Sequence, residues 1–309
     1  MKHKIIIILL FTVLTVNLVA EKYAGEIFRM GAGVENFALG NTGLTNANSS
    51  ALAYWNPAFL ANISQNSFEI MHAEEYMGLL TYDVAAYIFG KQAKCSVVLT
   101  RIGIDDIPLT AWNETTNRPY EYKNVNNSDL SLFVGIHRKL LGLNLGFTPK
   151  VAYRSLAEES GFGFGLDVST YYQLSDNLML AAKIRDLFTT QIIWTTGTQE
   201  SVLPGLDMEA SYNFILPIFK KSSKLIGAIE IYSEDRDFAA TNSFGIFSTD
   251  YHFGFSTQVH PQADLLLGYD VNNLTAGIKI KIKKWFINYG FKQNSELENS
   301  HRISLELKI

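Results

Sequence analysis

The stretch Asp129-Leu-Ser-Leu-Phe-Val-Gly-Ile-His137 decides the fold. Leu130, Leu132, Val134 and Ile136 share one face of an extended chain, and Asp129, Ser131, Gly135 and His137 share the other, because a strand sends successive side chains to opposite sides. The last nine residues repeat the rhythm, with Ile303, Leu305, Leu307 and Ile309 against Ser304, Glu306 and Lys308. One such strand fits any half-buried sheet. From Ser67 onward, however, the pattern recurs near 67–73, 78–89, 93–102, 128–139, 142–154, 161–173, 177–186, 205–214, 224–233, 250–259, 264–271, 273–282, 284–292 and 301–309.

The two faces differ in content. Leu143, Leu145, Phe147, Val151 and Tyr153 oppose Asn144, Gly146, Thr148, Lys150 and Arg154. Phe162, Phe164, Leu166 and Val168 oppose Gly161, Gly163, Gly165, Asp167 and Ser169. One face is bulky and apolar. The other mixes glycine with charges of both signs, among them Asp129, Lys150, Arg154, Asp167, Lys183, Arg185, Asp207, Glu209, Glu230, Lys279, Lys281 and Glu306. A soluble sandwich would bury the bulky face. A membrane barrel turns it to lipid and crowds the small and charged residues into its lumen.

Connection lengths separate these readings. Long connections near 103–127, 187–204 and 234–249 follow the third, seventh and ninth segments, so all fall at one end of the sheet. Leu140–Leu141, Leu174–Asp176, His260–Ala263 and Lys283 make short connections at the other end. Outer-membrane barrels alternate short periplasmic turns with long outer loops. The expectation is an all-β fold: a closed antiparallel transmembrane β-barrel of about 14 strands over residues 67–309, with both chain ends in the periplasm.

Residues 1–20 read as a cleaved secretory signal peptide. Lys2, His3 and Lys4 precede the apolar run Ile5 to Val16, and Ala20 suits a cleavage site. Their removal takes away two lysines and no acids, leaving 24 basic against 30 acidic side chains, a net charge of −6. That balance excludes nucleic acid as a partner. The single cysteine, Cys95, shares a face with Val97 and Leu99 and reads as a small lipid-facing residue.

Residues that could carry chemistry are sparse. No G-x-S-x-G, H-E-x-x-H, P-loop or paired-cysteine spacing occurs. The histidines are scattered, and Glu74 and Glu75 read as an exposed turn. The run Gly161-Phe-Gly-Phe-Gly165 lacks the helix that a nucleotide loop requires and reads as strand. The expectation is a non-enzyme with no cofactor and no metal site. The lumen charges read as pairing with one another.

Residues 21–66 lack the alternation and are rich in Gly, Asn, Ala and Ser. Within Phe37 to Ser64, Gly40 and Gly43 permit tight backbone. Ala51 to Trp55 reads as a short helix stopped by Asn56-Pro57, since a residue before proline avoids the helical region. Another turn can begin at Ala58. This stretch resembles the N-terminal motif of the PorV/PorQ family of outer-membrane proteins, distant relatives of the FadL-type transporters. Gly40, Gly43, Tyr54, Trp55, Asn56, Pro57, Ala58 and Leu60 match it. Asn48 and Ser49 stand where that family has paired acids, and Phe59 stands where it has a glycine. The chain ends in Ile309 where many such barrels carry an aromatic residue. The resemblance implies that residues 21–66 form a plug or hatch and that the protein resides in the bacterial outer membrane, with membrane lipid as a partner.

Two functions follow as expectations. By resemblance to the PorV/PorQ type, the barrel assists protein secretion or surface attachment, with secretion machinery or exported cargo as partners. Trp112, Tyr120, Tyr122 and Trp194 are then the outer-loop contacts. The alternative is a FadL-like passive channel for hydrophobic or small solutes. It requires an apolar pocket near the plug and an opening in the wall, to which inward Phe133 and Tyr171 point.

Overall fold

The computed structural model describes residues 24–90, 94–217, 220–236, 239–294 and 298–309. The expected signal peptide lies outside them. Seventeen strands are described: β1 (Ser67–Glu75), β2 (Leu80–Phe89), β3 (Cys95–Asn113), β4 (Arg118–Leu140), β5 (Leu143–Leu156), β6 (Glu159–Gln173), β7 (Leu178–Arg185), β8 (Thr190–Trp194), β9 (Gln199–Val202), β10 (Gly205–Leu216), β11 (Lys221–Tyr232), β12 (Asn242–Phe244), β13 (Phe247–His260), β14 (Ala263–Asp270), β15 (Asn273–Ile282), β16 (Trp285–Lys292) and β17 (Ser300–Lys308). All pair antiparallel, and β1 meets β17 over eight rungs from Ser67 opposite Lys308 to Glu74 opposite His301, which closes the sheet. Without β8, β9 and β12, which serve the rim, fourteen staves remain, as the alternation requires.

The faces follow parity. On β5, Leu143, Val151 and Tyr153 are exposed, and Gly146, Thr148 and Lys150 are buried. Phe162 and Phe164 point outward from β6, and Asp167 and Ser169 point inward. Cys95 is outward and partly exposed. The shorter staves hold eight or nine residues. Nine residues run about 30 Å along the strand and, at a tilt of about 40°, about 23 Å along the barrel axis, the height of an apolar outer belt. No helix among the described residues is long and apolar enough to cross a membrane.

Three segments differ from expectation. The connection 103–127 is a strand hairpin: β3 and β4 stay paired to Asn113 opposite Arg118, with register shifts beside Ile104 and Leu109. No side chain from Ile104 to Asn124 is buried. The buried face therefore ends while backbone pairing persists. The connection 187–204 contains β8 and β9. They prolong β7 and β10 beyond a bulge at Asp186–Thr189, where Asp186 (φ 53°) and Thr189 (φ 66°) are left-handed. Glu75 is inward and buried on β1 rather than on a turn, because it pairs with Arg302.

The β4–β5 ladder is interrupted at two rungs without a change of register. Leu132 and Phe133 of β4 face Val151 and Lys150, and Ile136 faces Phe147, but the rungs between them are missing. Pro149 lies in that gap and has no N–H to give.

Candidate functional site

Residues 24–66 pack inside the barrel against its inward face and are termed the plug for that position. They form two single 3-10 turns (Glu26–Phe28 and Pro57–Ala61) and one five-residue helix, α1 (Val34–Ala38). Short elements of this kind cannot hold themselves together in water. They are fixed by one another and by the wall. Ala51–Trp55 is a turn rather than the expected helix. Asn56 does not merely stop it: its Oδ1 accepts from the Ala58 N–H (3.2 Å) and caps the next 3-10 turn, with Pro57 at the first position, where a missing N–H does no harm.

The motif residues lock the plug together. Tyr54 donates its hydroxyl to Phe28 O (3.0 Å) and accepts from the Gly31 N–H (2.9 Å). Trp55 Nε1 donates to Ala32 O (2.6 Å). Asn56 Nδ2 donates to Leu44 O (2.9 Å) and to Thr170 O of the wall (3.2 Å). Gly43 packs against the Trp55 ring, where an added Cβ would lie 2.3 Å from the indole. Gly40 (φ 73°) is wedged against the wall, and a Cβ would lie 2.3 Å from Phe253 O. Its N–H donates to Thr275 Oγ1 (3.1 Å).

The wall supplies the tethers. Glu209, inward on β10, accepts from the N–H groups of Gly43 (2.8 Å), Leu44 (3.0 Å) and Thr45 (2.8 Å), and from Thr45 Oγ1 (2.5 Å). Charge-assisted bonds of this kind are about twice as strong as neutral ones. Lys183 Nζ donates to Tyr54 O (2.7 Å), Thr148 Oγ1 donates to Ala53 O (2.9 Å), and Ser96 Oγ accepts from the Ala53 N–H (3.0 Å). The inward glycines are seats. A Cβ on Gly146 would lie 2.4 Å from Ala58 N, one on Gly135 2.8 Å from Ala53 Cα, and one on Gly268 2.2 Å from Gly40 N. Gly135 lies in the stretch of the β4–β5 ladder that Pro149 interrupts, so Ala53 and Pro57 rest where the wall lacks rungs.

Phe133 and Tyr171 face inward as expected but clamp the plug rather than line a path. Phe133 meets Tyr54 edge-on at 5.2 Å and Phe28 at 6.1 Å, and Tyr171 stacks on Phe59 at 4.1 Å. Burial raises the Tyr54 hydroxyl well above its ordinary range, so it stays a donor. Burial would also raise the Glu35 carboxyl, but Lys279 at 2.6 Å outweighs this and holds it below the usual carboxylate range.

Ion pairs fill much of the remaining lumen. Lys150 Nζ lies 2.8 Å from Asp167 and 2.7 Å from Asp186, and Lys183 lies 3.4 Å from Asp167. This cluster pins the bulge between β7 and β8. The guanidinium groups of Arg29, Arg185 and Arg236 surround the Tyr232 ring at 4.6, 4.4 and 4.3 Å. Arg185 pairs with Asp207 (2.9 Å), Arg29 with Glu234 (2.6 Å), and Arg236 with Asp250. Arg302 pairs with Glu75 (2.9 Å) and lies over the Phe37 ring at 4.0 Å. A cavity of about 210 Å³ beside the plug is lined by such groups, including Arg29, Glu230, His252 and Asp270.

Of the outer-loop candidates, Trp112, Tyr120 and Tyr122 share the protruding hairpin and are 60%, 49% and 58% exposed. Trp194 is not with them. It lies on β8 opposite Gly161, on the inward face, with the Arg154 guanidinium 5.3 Å from its ring. Among the described residues, no three of His, Cys, Asp and Glu gather as metal ligands. Sequence reasoning placed Glu209 and Lys183 in the lumen, but nothing in the alternation says which plug amides and carbonyls they meet.

Comparison with known proteins adds the fold. No protein-family model matches the chain, and no curated protein matches it. Among solved structures it is similar to the toluene transporter TodX of Pseudomonas putida, at 12% identity with a TM-score of 0.56, over 90% of this chain and 97% of that one. A deletion mutant of TodX, described as a monoaromatic hydrocarbon channel, is similar at 11% identity with a TM-score of 0.54, over 91% and 98%. At such identities the likeness is one of fold. A closed 14-stranded barrel with this fold and an apolar outer belt is a bacterial outer-membrane protein.

Proposed function

We propose that the chain is a plugged outer-membrane channel of the FadL-like type, a passive route for small solutes. The observation that carries this reading is the plug itself. Side chains alone fill a barrel of about eight strands, and a wider one leaves a lumen. Here fourteen staves leave room for residues 24–66, which the wall holds through glycine seats and individual tethers such as Glu209 rather than through strand pairing. A separate body held through side chains, and sharing no strand with the wall, can be displaced without breaking the ladder of the wall. The TodX structures, of which the match covers 97% and 98%, are described as a toluene transporter and a hydrocarbon channel, and so aromatic hydrocarbons are the first solutes to test. The charged lining of the cavity beside the plug supports small polar solutes as the second class.

The test is uptake into proteoliposomes. The reading expects faster entry of toluene or of a small polar solute than in empty liposomes, and a further gain when Glu209→Ala loosens the plug. Equal rates in all preparations would count against it.

A second reading, the PorV/PorQ type of barrel that docks secretion machinery or cargo, draws support from the hairpin around Asn113–Arg118. It stands clear of the wall with Trp112, Tyr120 and Tyr122 exposed. Its test is co-purification of exported proteins with the intact barrel, lost on truncating the hairpin at Ile104 and Asn127.

A further inference from the structure

The outer wall bears a polar cluster where lipid is expected. His72 of β1, Asp83 of β2 and Arg101 of β3 point outward on neighbouring rungs, His72 opposite Asp83 and Asp83 opposite Arg101. Their side chains are 53%, 39% and 43% exposed. His72 Nδ1 lies 2.7 Å from Asp83 Oδ1, and Arg101 Nη1 lies 3.3 Å from Asp83 Oδ2. The turn above them carries exposed Met77 and Leu79, so this side of the wall does not rise clear of the lipid. The cluster stands three residues below the ends of β1 and β2, about 10 Å along the strand. Ionisable groups facing lipid are costly and mark sites of function.

An apolar trough of about 710 Å³ opens directly beside the cluster, lined by Ile70, Leu99, Leu130, Ile287, Ile303 and Leu305. Ala85, small among large neighbours, deepens it. A second hollow of about 380 Å³ shares Leu99 and Leu130 and continues over Val151 and Phe164. We propose that this surface binds one phosphate-bearing membrane lipid, its acyl chains in the trough and its phosphate on Arg101 and His72.

The wall's own setting selects the occupant, because a hollow in a lipid-facing wall is filled by acyl chains. The head follows from the donors. Asp83 engages one of the five N–H groups of Arg101 and leaves the rest of its planar fork open, the shape that suits a phosphate. Asp83 also turns the His72 ring so that Nε2 faces away from it, 4.0 Å from Glu74. Glu74 stands at the rim of the cluster beside Nε2, so the phosphate's main charged partner is Arg101.

Native mass spectrometry of the full chain released from nanodiscs of equal phosphatidylglycerol and uncharged galactolipid tests this. One phosphatidylglycerol should stay bound in preference to galactolipid. The His72→Gln/Arg101→Gln double variant should bind it about tenfold more weakly, the loss of a charge-assisted contact. Ala85→Trp, which fills the trough and leaves the cluster intact, should reduce retention as well. Heat-modified mobility on gels reports whether each variant is folded. The proposal is overturned if the unmodified protein retains no lipid, if it retains both lipids equally, or if the double variant keeps phosphatidylglycerol as the unmodified protein does.

Discussion

Between Ser67 and Ile309 the direction of a side chain follows largely from its parity, whereas between Ala24 and Asn66 no period assigns it. The wall is a repeating object: each residue answers to two neighbours across the ladder and to lipid or lumen. The plug is a particular one. Glu209 meets three consecutive N–H groups, Asn56 bridges Leu44, Ala58 and Thr170, and Gly40 fits beneath Phe253 O. A wall of this kind tolerates many bulky apolar residues on its outer face. The contacts of the plug tolerate few changes, and each change acts on the plug more than on the wall.

That contrast can be broken most forcefully at Lys150, which belongs to the wall but lies inside. Lys150→Met leaves Asp167 with the more distant Lys183 and takes from Asp186 its Lys150 partner, and should destabilise the barrel by about 3–5 kcal/mol, as loss of one partner of a buried ion pair does. Urea titration of the protein folded in lipid vesicles measures it. An unchanged midpoint would mean that the lumen charges are hydrated and not structural.

Glu209→Ala should weaken the plug by about 2–3 kcal/mol, since the charge-assisted bonds at Gly43, Leu44 and Thr45 all end on one carboxylate. Planar-bilayer conductance should rise while the urea midpoint of the wall stays put. A wall that melted together with the plug would erase the distinction between them. Gly268→Ala places a Cβ 2.2 Å from Gly40 N, and the overpacking should disturb the plug by about 1–3 kcal/mol. Protease nicking within residues 24–66 reports it. The smallest effect is expected at Trp112→Ala with Tyr120→Ala, within about 0.5 kcal/mol, because both side chains face water. The pair sharpens the functional alternatives: the channel reading expects unchanged uptake, and the docking reading expects loss of bound cargo.

These effects mark what was legible in the sequence. The fourteen staves and their faces could be read because lipid on one side and a crowded lumen on the other impose a period of two, as at Leu130 to Ile136. The same rule fails where both sides see water, which is why the paired strands around Thr110 and Glu121 read as a loop. It fails again at Asp186–Thr189, where a bulge held by Lys150 shifts the register, so that β8 and β9 read as a loop and inward Trp194 read as an outer contact. In the plug, Asn56-Pro57 signalled a turn, since proline constrains its predecessor wherever it lies. The partners of Tyr54, Trp55 and Glu209 are distant in sequence, and no local pattern encodes them.

The account rests on which face of the staves touches lipid. With Cys95→Ser as background, single spin labels at successive positions from Leu145 to Tyr153 in vesicles read this directly through collision with oxygen, which dissolves in lipid, and with a water-soluble nickel complex. Oxygen collision should peak at 145, 147, 151 and 153 and fall at 146, 148, 150 and 152, with the nickel complex excluded from the outward set. Uniform accessibility, or nickel contact at Val151 and Phe147, would contradict a lipid-facing wall.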